Sequence, residues 1–166
     1  MLSIENIMET NSMIHDNKLD VRTITMGISL LGCTATDGRT LCDRIYDHIT
    51  KEAEHLVSTG EAIEREYGVP IINKRVSVTP ISLVAAGSDL ISYVPVAEAL
   101  DRAAKTLGVN FIGGFSALVS KGYTEGDRRL IASIPEALAT TDLVCSSVGI
   151  GSTKAGINMD AVAEMG

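Results

Sequence analysis

The sequence predicts an α/β fold, a mainly parallel sheet whose strands alternate with helices in a single domain spanning residues 1–166. Three observations predict it. β-Branched runs and helical apolar repeats alternate four times along the 166 residues, the rhythm of strand–crossover–strand units. Four strand ends, at 32–38, 79–88, 113–120 and 146–156, are rich in Gly, Ser or Thr, and ligands collect at such ends in parallel sheets. The core has to be aliphatic, because 45% of the residues are hydrophobic while the chain holds two Phe, four Tyr and no Trp. The glycine and hydroxyl content of the strand ends has two readings, a ligand site or ordinary tight turns.

The elements follow in order. Residues 4–17 place Ile4, Ile7, Met8 and Ile14 at helical spacing, with Ser3 as a possible cap. "LDVRTITMGISLL" alternates Val21, Thr23 and Thr25 with Arg22, Ile24 and Met26, which reads as a strand ending near Gly32–Cys33. Residues 37–67 repeat apolar positions at three to four (Leu41, Ile45, Ile49, Ala53, Leu56, Ile63), a long helix that Thr59–Gly60 may divide and Gly68 stops. "PIINKRVSVTP" is the second strand, and "ISLVAAGSDLI" leans towards a short helix. Residues 96–107 form a helix with Pro95 in its first turn and Gly108 at its end. "VNFIGGF" is the third strand, with an interior glycine pair. Thr124 and Asp127 supply a capping box for a helix over 124–140, in which Pro135 predicts a kink or break. "DLVCSSVGI" is the fourth strand, and "GINMDAVAEM" starts another helix.

Composition excludes several classes. A net charge of −7, with scattered Lys and Arg, argues against nucleic acid as a partner. No apolar run has membrane length and the N-terminal stretch has no secretory core, so no membrane partner and a cytoplasmic location are expected. Three irregularly spaced cysteines fit a reducing compartment without disulfides. Cys33, Cys42 and Cys145 all read foremost as small core hydrophobes. His48 and His55 are seven apart rather than four, and no histidine has a motif-placed carboxylate, so no metal site is assigned.

"VCSSVGIGSTKAGINMD", residues 144–160, has the grammar of a phosphate loop but fails both standard spacings. Lys154 stands where a dinucleotide fingerprint needs its third glycine, and Ile157–Asn158 replaces the lysine–hydroxyl pair of a nucleotide P-loop. Weaker chemistry remains: N–H groups ahead of a helix, the hydroxyls of Ser152 and Thr153, and Lys154, all suited to an anion. A plain strand-to-helix turn with a solvated lysine fits the same residues.

The blocks "DVRTITMGISL", "NKRVSVTPISL", "ALDRAAKTLGVNFIGGFSALVSKGYTEGD" and "VCSSVGIGSTKAGINMDAV" resemble an uncharacterised bacterial and archaeal family called pyruvate-formate-lyase-like (PFL-like). The resemblance spans the whole chain. It implies a glycyl-radical-enzyme-like α/β barrel, of which this chain would be about one half, the N-terminal fragment of a longer protein. Truncation or a split gene would account for the length. Radical chemistry is not implied, because the chain lacks the C-terminal glycine loop and the cysteine pair of that enzyme class. The resemblance also implies an ACT-domain protein as a partner, and completion of the barrel makes a homo-oligomer an expectation.

Three functional readings stand side by side: an enzyme acting on a small anionic metabolite, a non-catalytic metabolite sensor working with an ACT-domain partner, or an inactive fragment. The candidate ligand-binding residues are Lys74, Arg75, Asn110, Ser152, Thr153, Lys154 and Asp160, the last able to act as acid, base or metal ligand. No catalytic residue and no cofactor is assigned.

Overall fold

A computed structural model describes residues 4–16 and 21–166 of the chain. Its elements run α1 (Ile4–His15), β1 (Val21–Ile28), α2 (Gly38–Glu52), α3 (Leu56–Tyr67), β2 (Ile71–Val78), α4 (Ile81–Val84), α5 (Val94–Leu107), β3 (Phe111–Leu118), α6 (Glu125–Thr140), β4 (Val144–Gly149), a small hairpin of β5 (Gly151–Ser152) and β6 (Gly156–Ile157), and α7 (Met159–Met165). The four long strands form one all-parallel sheet in the order β1-β2-β3-β4. The expected alternation of parallel strands and helices is therefore present; four strands in an open sheet are not a barrel.

Successive strands lie side by side, so every crossover steps in the same direction. Crossovers of one hand then carry their helices to one face of the sheet. The core records this. Ile28, Val76, Val78, Ile112, Phe115, Ala117 and Val144 supply its strand side. The strand register puts Met26 beside Val76 and Ile28 beside Val78. Leu41, Ile45 and Ile49 of α2, Leu100 of α5 and Leu130 of α6 supply its helix side, all buried.

Local chemistry sets the helix ends. Asp37 caps α2, its carboxylate accepting from the Thr40 N–H at 2.7 Å and also from the Thr40 hydroxyl. These hydrogen bonds hold the Asp37 carboxyl below the usual range. Thr124 and Asp127 form the expected reciprocal capping box of α6. Gly108 ends α5 at φ 70°, a left-handed conformation that costs glycine little.

Four expectations are corrected. The long helix over 37–67 is two helices, divided at residues 53–55 rather than at Gly60. Gly60 instead lets α3 lie on the sheet, where an added Cβ would come within 3.0 Å of Lys74 Cε and 3.2 Å of Ile24 Cδ1. The third strand, expected over 109–115, runs from Phe111 on past Phe115 to Leu118, a bulge between Gly113 and Phe115 absorbing the glycine pair. α6 runs on through Pro135 without a break, held by buried Leu130, Ile131 and Ala137. The last helix begins at Met159, because residues 151–157 are spent on the hairpin. The expected Ser3 cap lies outside the described residues.

Candidate functional site

Side chains alternate between the two faces of a strand, so the register sorts every strand residue. One face takes the aliphatic set that meets the helices. The other carries the alternate residues, in rows that include Thr23 and Asn73, then Thr25, Arg75 and Phe111, then Gly27, Ser77, Gly113 and Cys145. Beyond the bulge the same face continues with Ser116 beside Ser147 and Leu118 beside Gly149. Thr25, Ser77, Cys145, Ser147 and Leu118 are exposed. All-parallel sheets ordinarily have helices and aliphatic side chains on both faces. Here, among the described residues, the free face mixes hydroxyl, thiol and guanidinium groups and glycines with the exposed Phe111 and Leu118.

Arg75 is the chemical centre of that face. Its guanidinium carbon lies 5.1 Å from the centroid of the Phe111 ring, within reach of a cation–π contact. Its Nε is shielded from solvent and has no hydrogen-bond partner. Thr25, Ser77, Phe111, Gly113 and Cys145 join it around a depression of about 330 Å³. Gly27 and Gly113 make the floor low, since an added Cβ at either position would meet nothing within 4 Å. A buried N–H without an acceptor is costly, and an anionic oxygen is its natural complement.

The other predicted residues are placed elsewhere. Lys74, one position from Arg75, points to the helix face, where Nζ pairs with Glu64 at 3.3 Å and donates to the Ile71 carbonyl at 3.0 Å. The hydrogen bond from the Ile71 N–H, more than Lys74 itself, holds the Glu64 carboxyl below its usual range. Asn110 extends the β2–β3 ladder: its N–H donates to the Lys74 carbonyl at 2.9 Å, and its side-chain oxygen accepts the Lys74 N–H at 2.8 Å. Ser152 closes the hairpin turn by accepting the Ala155 N–H at 3.0 Å. Thr153 and Lys154 are exposed at the hairpin tip, and Asp160 is exposed in the first turn of α7. Asn158 caps α7 by accepting from the Ala161 N–H at 3.3 Å, while its amide donates to the Val119 carbonyl at 2.8 Å. The structure thus gathers Ser152, Thr153 and Lys154 at one hairpin, apart from the lining of the Arg75 depression.

The cysteines divide. Cys33 and Cys42 are buried as expected, and burial pushes both thiols up. Cys145 departs from the core reading: it is exposed on the free face, because the register pairs it with Gly113 rather than with a core position. His48 approaches the Ser29 carbonyl at 3.2 Å, and His55 precedes α3. Among the described residues no group of three or more His, Cys, Asp or Glu side chains is placed to hold a metal ion, and no helix is long and apolar enough to cross a membrane. Sequence reasoning missed Thr25, Ser77, Phe111, Gly113 and Cys145. The signal was there, in alternate Thr, Gly, Ser and Cys within strands whose parallel pairing calls for aliphatics at every position.

Fold and site together define a singly wound parallel α/β unit with an arginine-centred polar face. The chain belongs to the family described as Uncharacterised ACR (DUF711), whose model matches residues 12–166. It is 66% identical over 166 residues to a UPF0210 protein of Desulforamulus reducens, a match covering all of this chain and 37% of the relative. Against the UPF0210 protein of Limosilactobacillus reuteri the identity is 62% over 165 residues, with 99% and 37% covered. A UPF0210 protein of Clostridium perfringens gives 62% over 166 residues, with 100% and 37% covered. The chain thus spans a little over a third of the length of the curated relatives it matches. These matches overturn the PFL-like resemblance. The conserved-sounding blocks quoted for it are those of DUF711/UPF0210, a distinct family, and neither the matches nor the open four-stranded sheet links the chain to pyruvate formate-lyase or to glycyl radical enzymes.

Proposed function

We propose that this chain supplies the binding wall of a protein for a small anionic metabolite, with the free face of the sheet as the wall and Arg75 as the anion contact. The observation that carries the reading is the division of one parallel sheet into an aliphatic face and a face of Thr25, Gly27, Arg75, Ser77, Gly113, Cys145 and Ser147. A face meant to receive helices would gain nothing from a guanidinium, hydroxyls and a thiol, each costly to desolvate without a partner. A face meant to line a ligand chamber needs such groups, and needs small neighbours to leave room for the ligand.

The rest of the family polypeptide enters the same reading. The relatives extend well beyond the matched third, and among the described residues the sheet has a free face and edge strands β1 and β4. Further strand–helix units added in the same direction would keep their helices outside and curve the free face inward. A closed barrel with Arg75 in its interior is the arrangement we propose for the longer protein.

Thermal denaturation of the chain with a panel of small carboxylates and phosphates tests the binding reading, comparing wild type with Arg75→Met and Lys154→Ala. A ligand-dependent rise in Tm that disappears in Arg75→Met and survives in Lys154→Ala is expected. If the rise survives in Arg75→Met and disappears in Lys154→Ala, the site lies at the hairpin and the reading fails.

A further inference from the structure

Resting on that reading, we infer that the Arg75 depression selects a singly charged carboxylate over a phosphate dianion. The first ground is the count of positive groups. Arg75 is the one cation in the lining, and its neighbours Thr25, Ser77, Phe111, Gly113 and Cys145 are neutral. Lys74 is turned to the opposite face and held by Glu64. Phosphate sites recruit several cations or the free N–H groups of a helix N-terminus. Among the described residues neither lines the depression: the crossover helices pack on the other face, and the backbone of this row is engaged in the β1-β2-β3-β4 ladder.

The second ground is geometry. The Phe111 ring lies 5.1 Å from the guanidinium carbon and Nε is turned away from solvent, so the terminal nitrogens are the groups a ligand can reach. A carboxylate meeting the guanidinium end-on takes two terminal N–H groups with its two oxygens, the bidentate fork that arginine offers and lysine does not. Thr25, beside Arg75 on β1, and Ser77, two residues on along β2, add one hydroxyl each. Gly27 and Gly113, on either side of Ser77 in the next row, add no side chain and leave room there for a ligand body. The third ground is the field: a chain of net charge −7 opposes a dianion more than a monoanion wherever a single cation must offset it.

The test is a ¹H–¹⁵N correlation titration of the 166-residue chain with sodium benzoate and, separately, inorganic phosphate, at slightly alkaline pH and constant ionic strength. Benzoate is expected to move the amides of Thr25, Gly27, Ser77 and Gly113 along a saturable curve, with phosphate weaker by about tenfold or more, a difference of roughly 1.4 kcal/mol. Arg75→Met abolishes the benzoate response. Arg75→Lys, which keeps the charge without the fork, weakens benzoate and narrows its lead over phosphate, and serves as the control should Arg75→Met lose its native spectrum. Equal or tighter phosphate binding at those amides overturns the selectivity and leaves the anion site standing. Silence of those amides to both anions, or a benzoate response unchanged by either Arg75 variant, overturns both.

Discussion

Two adjacent glycines in β3 should respond to substitution in opposite ways. Gly114 sits in the bulge at φ 121°, a conformation that side chains rarely adopt, and an added Cβ would lie 2.4 Å from Val78 Cγ2 and 2.6 Å from the Val78 carbonyl oxygen. The backbone strain is worth about 1–3 kcal/mol. The clash is with backbone as well as with a buried valine, so relief has to come from moving β2 away from β3, at a further cost of about 1–3 kcal/mol. Gly114→Ala is therefore expected to lose about 2–6 kcal/mol, and at roughly 2–4 °C per kcal/mol for a domain of this size its Tm should fall by about 4–24 °C. Gly113 lies one residue earlier, outside the left-handed region, and faces open space. Gly113→Val should be neutral or stabilising by up to about 1 kcal/mol, since a β-branched residue suits a strand better than glycine does. It should nevertheless abolish anion binding by filling the floor beside Arg75. Circular-dichroism melts of both variants, with the benzoate titration repeated on Gly113→Val, decide the matter. A Gly114→Ala variant within 1 kcal/mol of wild type would refute the bulge geometry. A Gly113→Val variant that melts early, or that binds benzoate normally, would refute the placement of the floor.

Two further outcomes are expected. Asp101, buried on α5, accepts the N–H groups of Asp142 and Leu143 at 3.0 and 2.9 Å and pairs with Lys105 at 2.7 Å, tying α5 to the start of β4. Burial pushes its carboxyl up, but the hydrogen bonds from Lys105, Leu143 and Asp142 together hold it below the usual range. Its stabilising effect is thus present above the ordinary carboxylate pKa and lost as pH falls through the lowered one. The Lys105 partner, raised to about 12 chiefly by its hydrogen bond to Asp101, contributes below the ordinary lysine pKa and is lost as pH rises towards that value. Urea denaturation should show Asp101→Ala losing about 2–4 kcal/mol and Asp101→Asn, which keeps an acceptor oxygen, about half as much; equal losses would show that charge alone matters. The apolar stripe Met159, Val162 and Met165 on α7 is 66%, 37% and 44% exposed. Val162→Glu with Met165→Glu should leave the melt within about 0.5 kcal/mol of wild type while raising the concentration at which light scattering detects self-association. A large loss of stability would mean that the stripe is packed.

The fold class was legible because it rests on local signals that agree with one another. The Thr124–Asp127 box, the stop at Gly108 and the three-to-four repeat of Leu41, Ile45 and Ile49 each specify a helix or its end without help from distant residues. Signals that depend on a distant partner were misread. Gly60 has the look of a helix breaker, yet its role is set by Lys74 and Ile24 on neighbouring strands. "GSTKAGIN" reads equally as a loop before a helix or as a hairpin, and the choice falls to pairing between residues four and six apart, with Ser152 spent on the turn. Lys74 and Arg75 are neighbours in the sequence and both read as anion contacts, but a strand sends adjacent side chains to opposite faces, so only one of two like charges meets the depression.

That alternation also explains why the site was half visible. In a strand buried on both faces, sequence shows a continuous apolar run; in one with a single buried face, it shows a period of two. "TITMGI" and "NKRVSV" have the period of two, but a parallel strand is expected to be covered on both sides, which disguises the polar set as turn-like or incidental. The register removes the ambiguity by lining up Gly27, Ser77, Gly113 and Cys145 across four strands as one row. No single strand carries enough of that row to be noticed. A polar face on a parallel sheet is hard to justify by stability alone, since aliphatic residues at the same positions would pair as well and pack better. The row is what the proposed binding wall needs, and Arg75, with its unpartnered Nε, is its chemical centre.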